Sequence, residues 1–362
     1  MRLQKITLQH FRNIPFASLE LIGVRHFLVG SNGQGKTNLL EAAGFITALR
    51  SFRSTETRQL IAHGQPEAGV VYHVEHEQFA ETSVTLKLTP QGKELLFDQE
   101  KVTKLADFIG KFPTVVFSSQ DHQLIRGSPN LRRKFLDLVL AATDADYLRT
   151  LQTYHRALAD RNRLLRDGAD LDQIVAFETL LAPAAATLVE KRTAGLDALT
   201  PRVERAYAQI SEQAEPVTLR YAPDLNERDS AAIAAVFAKN RARDAIVKTT
   251  QAGPHRDDFD LLMKGRDAKD FASEGQQRSL VIALRLAQVA YFEEKLGIKP
   301  VLLADDVLGE LDPGRRERFW GAVDPQLQVL ATGTVLPEGE RASDWQVFHV
   351  NAGAFAPAEV RT

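Results

Sequence analysis

Eight residues near the start of the chain, Gly30-Ser-Asn-Gly-Gln-Gly-Lys-Thr37, restrict its fold more than any other stretch. They satisfy the pattern G-x-x-x-x-G-K-[ST] at every fixed position. A strand-like run at 26–29 precedes them, and a helical run with Leu39, Ala42, Ala43, Ile46 and Leu49 on one side follows. In that context the main-chain N–H groups of Gly30, Ser31, Asn32, Gly33, Gln34 and Gly35 converge on phosphate oxygens, aided by the positive end of the helix. Lys36 reaches the β- and γ-phosphates, and the Thr37 hydroxyl is a ligand for Mg²⁺. Gly33 and Gly35 permit a backbone approach that a Cβ would obstruct. The loop therefore predicts a nucleoside triphosphate site, with a bare structural turn as the weaker alternative. By itself it does not separate kinases, GTPases, transporters and motors.

The matching half lies far along the chain. Residues 301–306, Val-Leu-Leu-Ala-Asp-Asp, read as a buried strand ending in two carboxylates. An acid delivered at the C-terminal end of such a strand holds the metal of a phosphate-loop site. Asp305 is the metal-side candidate, directly or through a water, and Asp306 is placed to orient or deprotonate an attacking water. Just upstream, Ser273-Glu-Gly-Gln-Gln-Arg278 opens an apolar helix expected over 275–295. Ser273, Gly275 and Gln276 at a helix N-terminus suit a γ-phosphate. Ser273 and Gln276 also form a capping box, which needs no ligand.

These three elements together resemble the ABC-type ATPase heads. The expected fold is α/β: a P-loop ABC-type head with a mixed sheet and an inserted helical lobe. The resemblance implies ATP and Mg²⁺ as cofactors and a site completed across a homodimer, with Ser273, Gly275 and Gln276 of one subunit closing on the nucleotide of the other. Leu308-Gly-Glu-Leu-Asp312 is similar to the family's D-loop, and 332–334 stands where many relatives carry a switch histidine. No histidine is there, so a threonine must take that role or the role is absent.

Further strings are similar to the RecF family within that class. They are Phe11-Arg-Asn13, Ser51-Phe-Arg-Ser54, Gly127-Ser-Pro129, Arg132-Arg133, Arg161-Asn162, Gly253-Pro-His-Arg-Asp-Asp258, the signature and 302–308. Through this resemblance Arg12 and Asn13 join the nucleotide-binding candidates. Glu274, Ala304 and Gly309 depart from the family's usual residues. The resemblance implies ATP-dependent dimerisation on double-stranded and gapped DNA, weak DNA-stimulated ATP hydrolysis, and action with RecR and RecO in loading RecA. A transporter subunit, a non-hydrolysing scaffold and a small-molecule kinase are the rival readings.

The domain plan follows the change in pattern. Alternating strands occupy 1–120, Ala- and Leu-rich helices at 131–142, 147–165 and 171–213 fill a lobe over 121–248, and strands resume over 249–362. Pro183 and Pro201 are expected to kink or divide the longest helix, and the tail after Val350 to fray. His255 and Arg256 are assigned a structural or interface role. The lobe is too short for the sustained heptads of a coiled-coil rod.

Composition bears on partners. The net charge of −2 excludes binding of nucleic acid through bulk charge. Any DNA contact must use local groups: Arg126, Arg132, Arg133 and Lys134; Arg156, Arg161, Arg163 and Arg166; Arg241 and Arg243. Each group reads equally well as a solvated helix face. Cysteine is absent, which removes thiolate chemistry. The charged start lacks a signal-peptide core and no apolar run reaches about 18 residues, so a cytoplasmic protein with no membrane partner is expected.

Overall fold

The computed structural model describes residues 1–54, 56–212, 215–336 and 344–358. In chain order the strands are β1 (Arg2–Phe11), β2 (Ile14–Glu20), β3 (Arg25–Val29), β4 (Ala68–His76), β5 (Ala80–Thr89), β6 (Gly92–Phe97), β7 (Glu100–Lys101), β8 (Thr114–Ser118), β9 (Val217–Ala222), β10 (Asp258–Met263), β11 (Arg266–Asp267), β12 (Val301–Asp305), β13 (Val329–Gly333), β14 (Gln346–Asn351) and β15 (Ala354–Pro357). The helices are α1 (Lys36–Ala48), α2 (Gln123–Arg126), α3 (Pro129–Thr143), α4 (Ala145–Asp167), α5 (Leu171–Ile210), α6 (Ser230–Val247), α7 (Ala268–Phe271), α8 (Glu274–Leu296) and α9 (Pro313–Ala322).

The chain divides into two compact units. The first holds Met1–Asp121, Arg205–Ala214 and Ser279–Thr362, and the second holds His122–Glu204 and Glu215–Arg278. The expected boundary at 248 is therefore displaced: 249–278, including the signature residues, group with the helical unit. The reason is pairing, since β10 takes β9 as its antiparallel neighbour in full register from Asp258–Ala222 to Met263–Val217.

The first unit contains two six-stranded sheets. One is antiparallel, ordered β2-β1-β4-β5-β6-β7. The other is mixed, ordered β15-β14-β3-β13-β12-β8, with parallel pairing from β14 to β8 and an antiparallel β15 edge. The central strands β12 and β13 are short and almost continuously buried, as expected of strands covered on both faces. Helix α1 packs against β1 of the first sheet and β8, β12 and β13 of the second. It is buried on more than one side, for Leu40 and Phe45 join Leu39, Ala42 and Ala43 in the core. The Tyr72 hydroxyl donates to the Ala42 carbonyl at 2.6 Å, and the Thr47 and Thr114 hydroxyls meet at 2.6 Å. Gln328 clamps the sheets together, exchanging both amide bonds with the Leu3 backbone at 2.7 and 2.8 Å and donating to His26 at 3.1 Å.

The expected frayed tail is structured through Pro357. β14 lies parallel to β3, and β15 folds back on it through the two-residue turn Ala352–Gly353, both with positive φ (48° and 79°). This is the backbone of a type I′ hairpin, whose twist matches that of the flanking strands. Residues 359–362 lie outside the described residues.

The second unit packs α3 on α4 and β10, and α4 on α6, beside the small sheet β11-β10-β9. Helix α5 runs through both Pro183 and Pro201 without division. Residue 213, expected to close it, lies outside the described residues. Among the described residues, a segment of α5 (Asp172–Ile210) is long and apolar enough to cross a membrane by length and composition alone. Its Glu178 and Arg192 are buried and ion-paired, which marks a core helix.

Candidate nucleotide site

The phosphate loop joins β3 to α1, and Gly35 caps the helix with φ 114°. Two close approaches need glycine here. A Cβ on Gly30 would lie 2.3 Å from the Val350 carbonyl oxygen, and one on Gly35 would lie 3.0 Å from Asn13 Oδ1. Ser31, Asn32 and Gly33 form the exposed crest of the loop. Lys36 is buried beneath it and donates to the carbonyls of Gly30 at 2.5 Å and Ser31 at 3.0 Å. The hairpin turn that the sequence reading left frayed closes on this loop. The Gly353 N–H donates to the Gln34 carbonyl at 2.8 Å, and the Ala352 N–H to Gln34 Oε1 at 2.6 Å.

The phosphate loop and the acidic end of β12 are in direct contact. Thr37 Oγ1 donates to Asp305 Oδ1 at 2.8 Å across 268 residues of sequence. Thr332 Oγ1 donates to the same oxygen at 3.0 Å and accepts the Asp306 N–H at 2.9 Å. Burial pushes the Asp305 carboxyl above its ordinary value, with the Thr37 and Thr332 hydroxyls opposing and the neighbouring Asp306 charge adding to the rise. Asp306 adopts φ 57°, a left-handed conformation that costs a non-glycine residue about 1 kcal/mol or more.

The donors fit the implied metal. Thr37 offers a neutral hydroxyl and Asp305 a carboxylate, a sparse all-oxygen set suited to Mg²⁺, which keeps waters and takes phosphate oxygens for the rest. No cluster of three or more acidic, histidine or cysteine ligands occurs among the described residues, so a dedicated protein cage is not what these residues build.

Arg12, expected among the nucleotide-binding residues, is engaged by an acid of the loop's own helix. Its guanidinium forks onto Glu41 at 2.9 and 2.7 Å, so it supports the loop's helix instead of presenting an uncommitted cation. Asn13 lies against the loop, donating to the Gly33 carbonyl at 3.2 Å and accepting from Asn38 at 2.7 Å. Sequence reasoning missed Glu41 and Asn38, which were visible only as helix residues.

The signature belongs to the second unit and forms the capping box in full. The Ser273 N–H donates to Gln276 Oε1 at 2.7 Å, and the Gln276 N–H to Ser273 Oγ at 3.3 Å. Ser273 and Glu274 are exposed at the start of α8. Buried Gln277 braces this end, donating to the carbonyls of Ala268, Lys269 and Ala272 and accepting from Arg126 at 2.6 Å. In the first unit, Asp312 of the D-loop string caps α9 by accepting the Arg315 N–H at 2.9 Å.

Several of the basic candidates are engaged by acids or carbonyls inside the second unit, and Arg161 lies in its core instead of on a helix face. Arg161 is fully buried between Glu178 and Asp244, each at 2.9 Å. Arg132 forks onto Asp258, Arg241 pairs with Glu178 at 2.6 Å, and Arg133 donates to the Asp257 carbonyl. Lys134, Arg156, Arg163, Arg166 and Arg243 remain exposed. The string at 253–258 is a structural knot. His255 accepts from the Tyr154 hydroxyl at 2.7 Å and donates to the Thr250 carbonyl at 3.1 Å, and burial lowers its pKa to about 4. Asp257 takes Arg192 at 2.8 Å and the Tyr221 hydroxyl.

A phosphate loop between a central strand and a buried helix, with an acid from the end of β12 on its threonine, is the core of a P-loop NTPase. With the antiparallel sheet beside it and the signature at the start of α8, the fold is that of an ABC-type ATPase head. A family model described as the RecF/RecN/SMC N terminal domain matches residues 2–333. The DNA replication and repair protein RecF of Geobacter metallireducens is 35% identical over 99% of this chain and 100% of its own length. That of Geobacter sulfurreducens is 37% identical over 92% and 93%. The structure of the recombination mediator protein RecF with ATP, from the RecFOR pathway, superposes with a TM-score of 0.90 at 28% identity, covering 99% of this chain and 97% of that one. An Smc head bound to the C-winged helix domain of ScpA shares the fold at a TM-score of 0.57 and 13% identity. The chain belongs to the RecF family of DNA replication and repair proteins.

Proposed function

We propose that this chain is an ATP-dependent recombination mediator that closes as a homodimer over duplex or gapped DNA and reopens through slow ATP hydrolysis. The observation that carries the reading is the convergence of Thr37, Asp305 and Thr332, at 2.8 and 3.0 Å, beside the left-handed Asp306. Lys36 and the loop amides hold the triphosphate. Thr37 and Asp305 would hold Mg²⁺, which would compensate the charge on the phosphate oxygens. Asp306 orients a water or takes its proton. Ser273, Gly275 and Gln276 of a second subunit complete the γ-phosphate site from the positive end of α8. DNA stimulates turnover by favouring the closed dimer. The solved relative is described as a mediator of the RecFOR pathway, which supports RecR and RecO as partners ahead of RecA. Nothing in this cycle requires a membrane, and it suits the cytoplasm.

One observation favours a second reading, a scaffold that binds ATP without hydrolysing it: Ser273 and Gln276 already satisfy each other as a helix cap.

Sedimentation with Mg²⁺ and ATP, with and without a gapped duplex, separates the two when Lys36→Arg and Ser273→Arg are run beside the wild type. The clamp requires the wild type to dimerise with ATP and gain DNA in that state, while Ser273→Arg binds ATP and stays monomeric. A wild type that remains monomeric with unchanged DNA binding leaves the scaffold.

A further inference from the structure

A closed ring of polar contacts lies behind the phosphate loop. Glu41, in the second turn of α1, is fully buried and accepts from Arg12 Nε and Nη2 at 2.9 and 2.7 Å and from the Ser51 hydroxyl. The next residue, Asn13, donates to the Gly33 carbonyl at 3.2 Å and accepts from Asn38 at 2.7 Å. Asn38 in turn accepts from Arg53 at 2.7 Å, and Arg53 returns to Glu41 at 3.6 Å. The ring thus joins the β1–β2 turn, the segment after α1 and the crest of the loop to one carboxylate.

We propose that Glu41 is a positioning residue for nucleotide binding, fixing the shape of the phosphate loop through Arg12 and Asn13. The proposal rests on the reading that residues 30–37 bind a triphosphate. An apolar residue at 41 would pack into the core with no ionic desolvation to offset, so the buried charge is an expensive choice for packing alone. What the charge does, and a methyl group does not, is hold two irregular segments in one register. Arg12 is kept at φ 55° by this contact, and that turn sets where Asn13 meets Gly33. A loop whose N–H groups are already aligned loses less entropy when it takes a phosphate.

The test uses the full chain with Glu41→Gln and Asn13→Ala. The second variant removes the bridge to Gly33 while leaving the buried ion pair intact. Hydrogen exchange of amides 30–37 is measured without nucleotide, and affinity with a fluorescent ATP analogue and Mg²⁺. Both variants are expected to speed exchange in 30–37 but not in β4 and β5. Glu41→Gln should weaken analogue binding about tenfold, the loss of one charged hydrogen bond, and Asn13→Ala somewhat less. In turnover the loss should enter KM with kcat unchanged. Unchanged exchange and affinity in both variants would overturn the proposal. So would faster exchange throughout the unit in Glu41→Gln with a silent Asn13→Ala. If the wild type fails to bind the analogue, the nucleotide reading falls, while the exchange arm still decides whether the ring shapes the loop.

Discussion

The Thr332 hydroxyl donates to Asp305 Oδ1 at 3.0 Å, and through its lone pairs it also fixes the Asp306 amide at 2.9 Å. One threonine therefore sets both acids of the site, from the strand position where a switch histidine was looked for. Thr332→Val keeps shape and burial but removes one hydrogen bond each from half-buried Asp305 and from the Asp306 amide, at a cost of about 1–3 kcal/mol. Phosphate-release kinetics should show kcat down about tenfold or more, with analogue affinity nearly unchanged. Thr332→Ser should restore most of it; a valine variant with wild-type kcat removes Thr332 from the mechanism.

Removing the carboxylate charge should separate binding from turnover. Asp305→Asn keeps an oxygen for Thr37 yet gives a weaker metal ligand. Hydrolysis should fall about 100-fold or more, with ATP binding retained at raised Mg²⁺. The check is turnover against Mg²⁺ concentration; a normal rate at ordinary Mg²⁺ speaks against Asp305 as the metal-side residue.

Two buried histidines set an acid limit on stability. Burial lowers the pKa of His26 to about 4, and that of His255 likewise to about 4. Unfolded, each titrates near its ordinary value of about 6.5. Because the folded pKa is the depressed one, their stability is fully present above about pH 6.5 and is lost as pH falls toward about 4, up to ~3 kcal/mol each. Urea midpoints should drop between about pH 7 and about pH 5, and His26→Gln should flatten part of that slope.

Arg192 joins α5 to the knot at 253–258, pairing with Asp137 and Asp257 at 2.8 Å and donating to the Pro254 carbonyl at 2.6 Å. Arg192→Met leaves buried Asp257 and half-buried Asp137 without their cation and should cost about 3–5 kcal/mol. Chemical denaturation should show it. A variant as stable as wild type would mean that water replaces the pair at little cost.

Gly353 ties the C-terminal hairpin to the loop. Its φ is 79°, and an added Cβ would lie 2.4 Å from the Asn13 carbonyl oxygen. Gly353→Ala should destabilise by about 1–3 kcal/mol and weaken nucleotide binding through Gln34. Calorimetric titration with ATP checks it: unchanged affinity uncouples the hairpin from the site.

Legibility followed the range of the interaction. The strand–loop–helix around Lys36 and the apolar strand ending in Asp305 are local patterns, and both stand where the alternation and spacing put them. Gln346–Asn351 alternates as a strand does, yet the sequence reading names no strand there and expects the small polar residues after Val350 to fray. The charged helix faces misled for another reason. Arg161 stands two residues from exposed Arg163 on the same helix, and only Asp244 and Glu178, supplied by other helices, make it a core residue.

The sequence by itself determined the phosphate loop, the acid that answers it and the family to which both belong. Main-chain geometry at glycines and the period of a buried strand are written within a few residues. The tertiary structure alone decided that Thr332 sets the two acids, that Glu41 anchors the loop from behind, that the C-terminal hairpin closes on Gln34, and that the signature groups with the helical unit. Each of these is a pairing between distant segments. A polar side chain carries no local mark of its partner, and only the packed chain brings the two within hydrogen-bond reach.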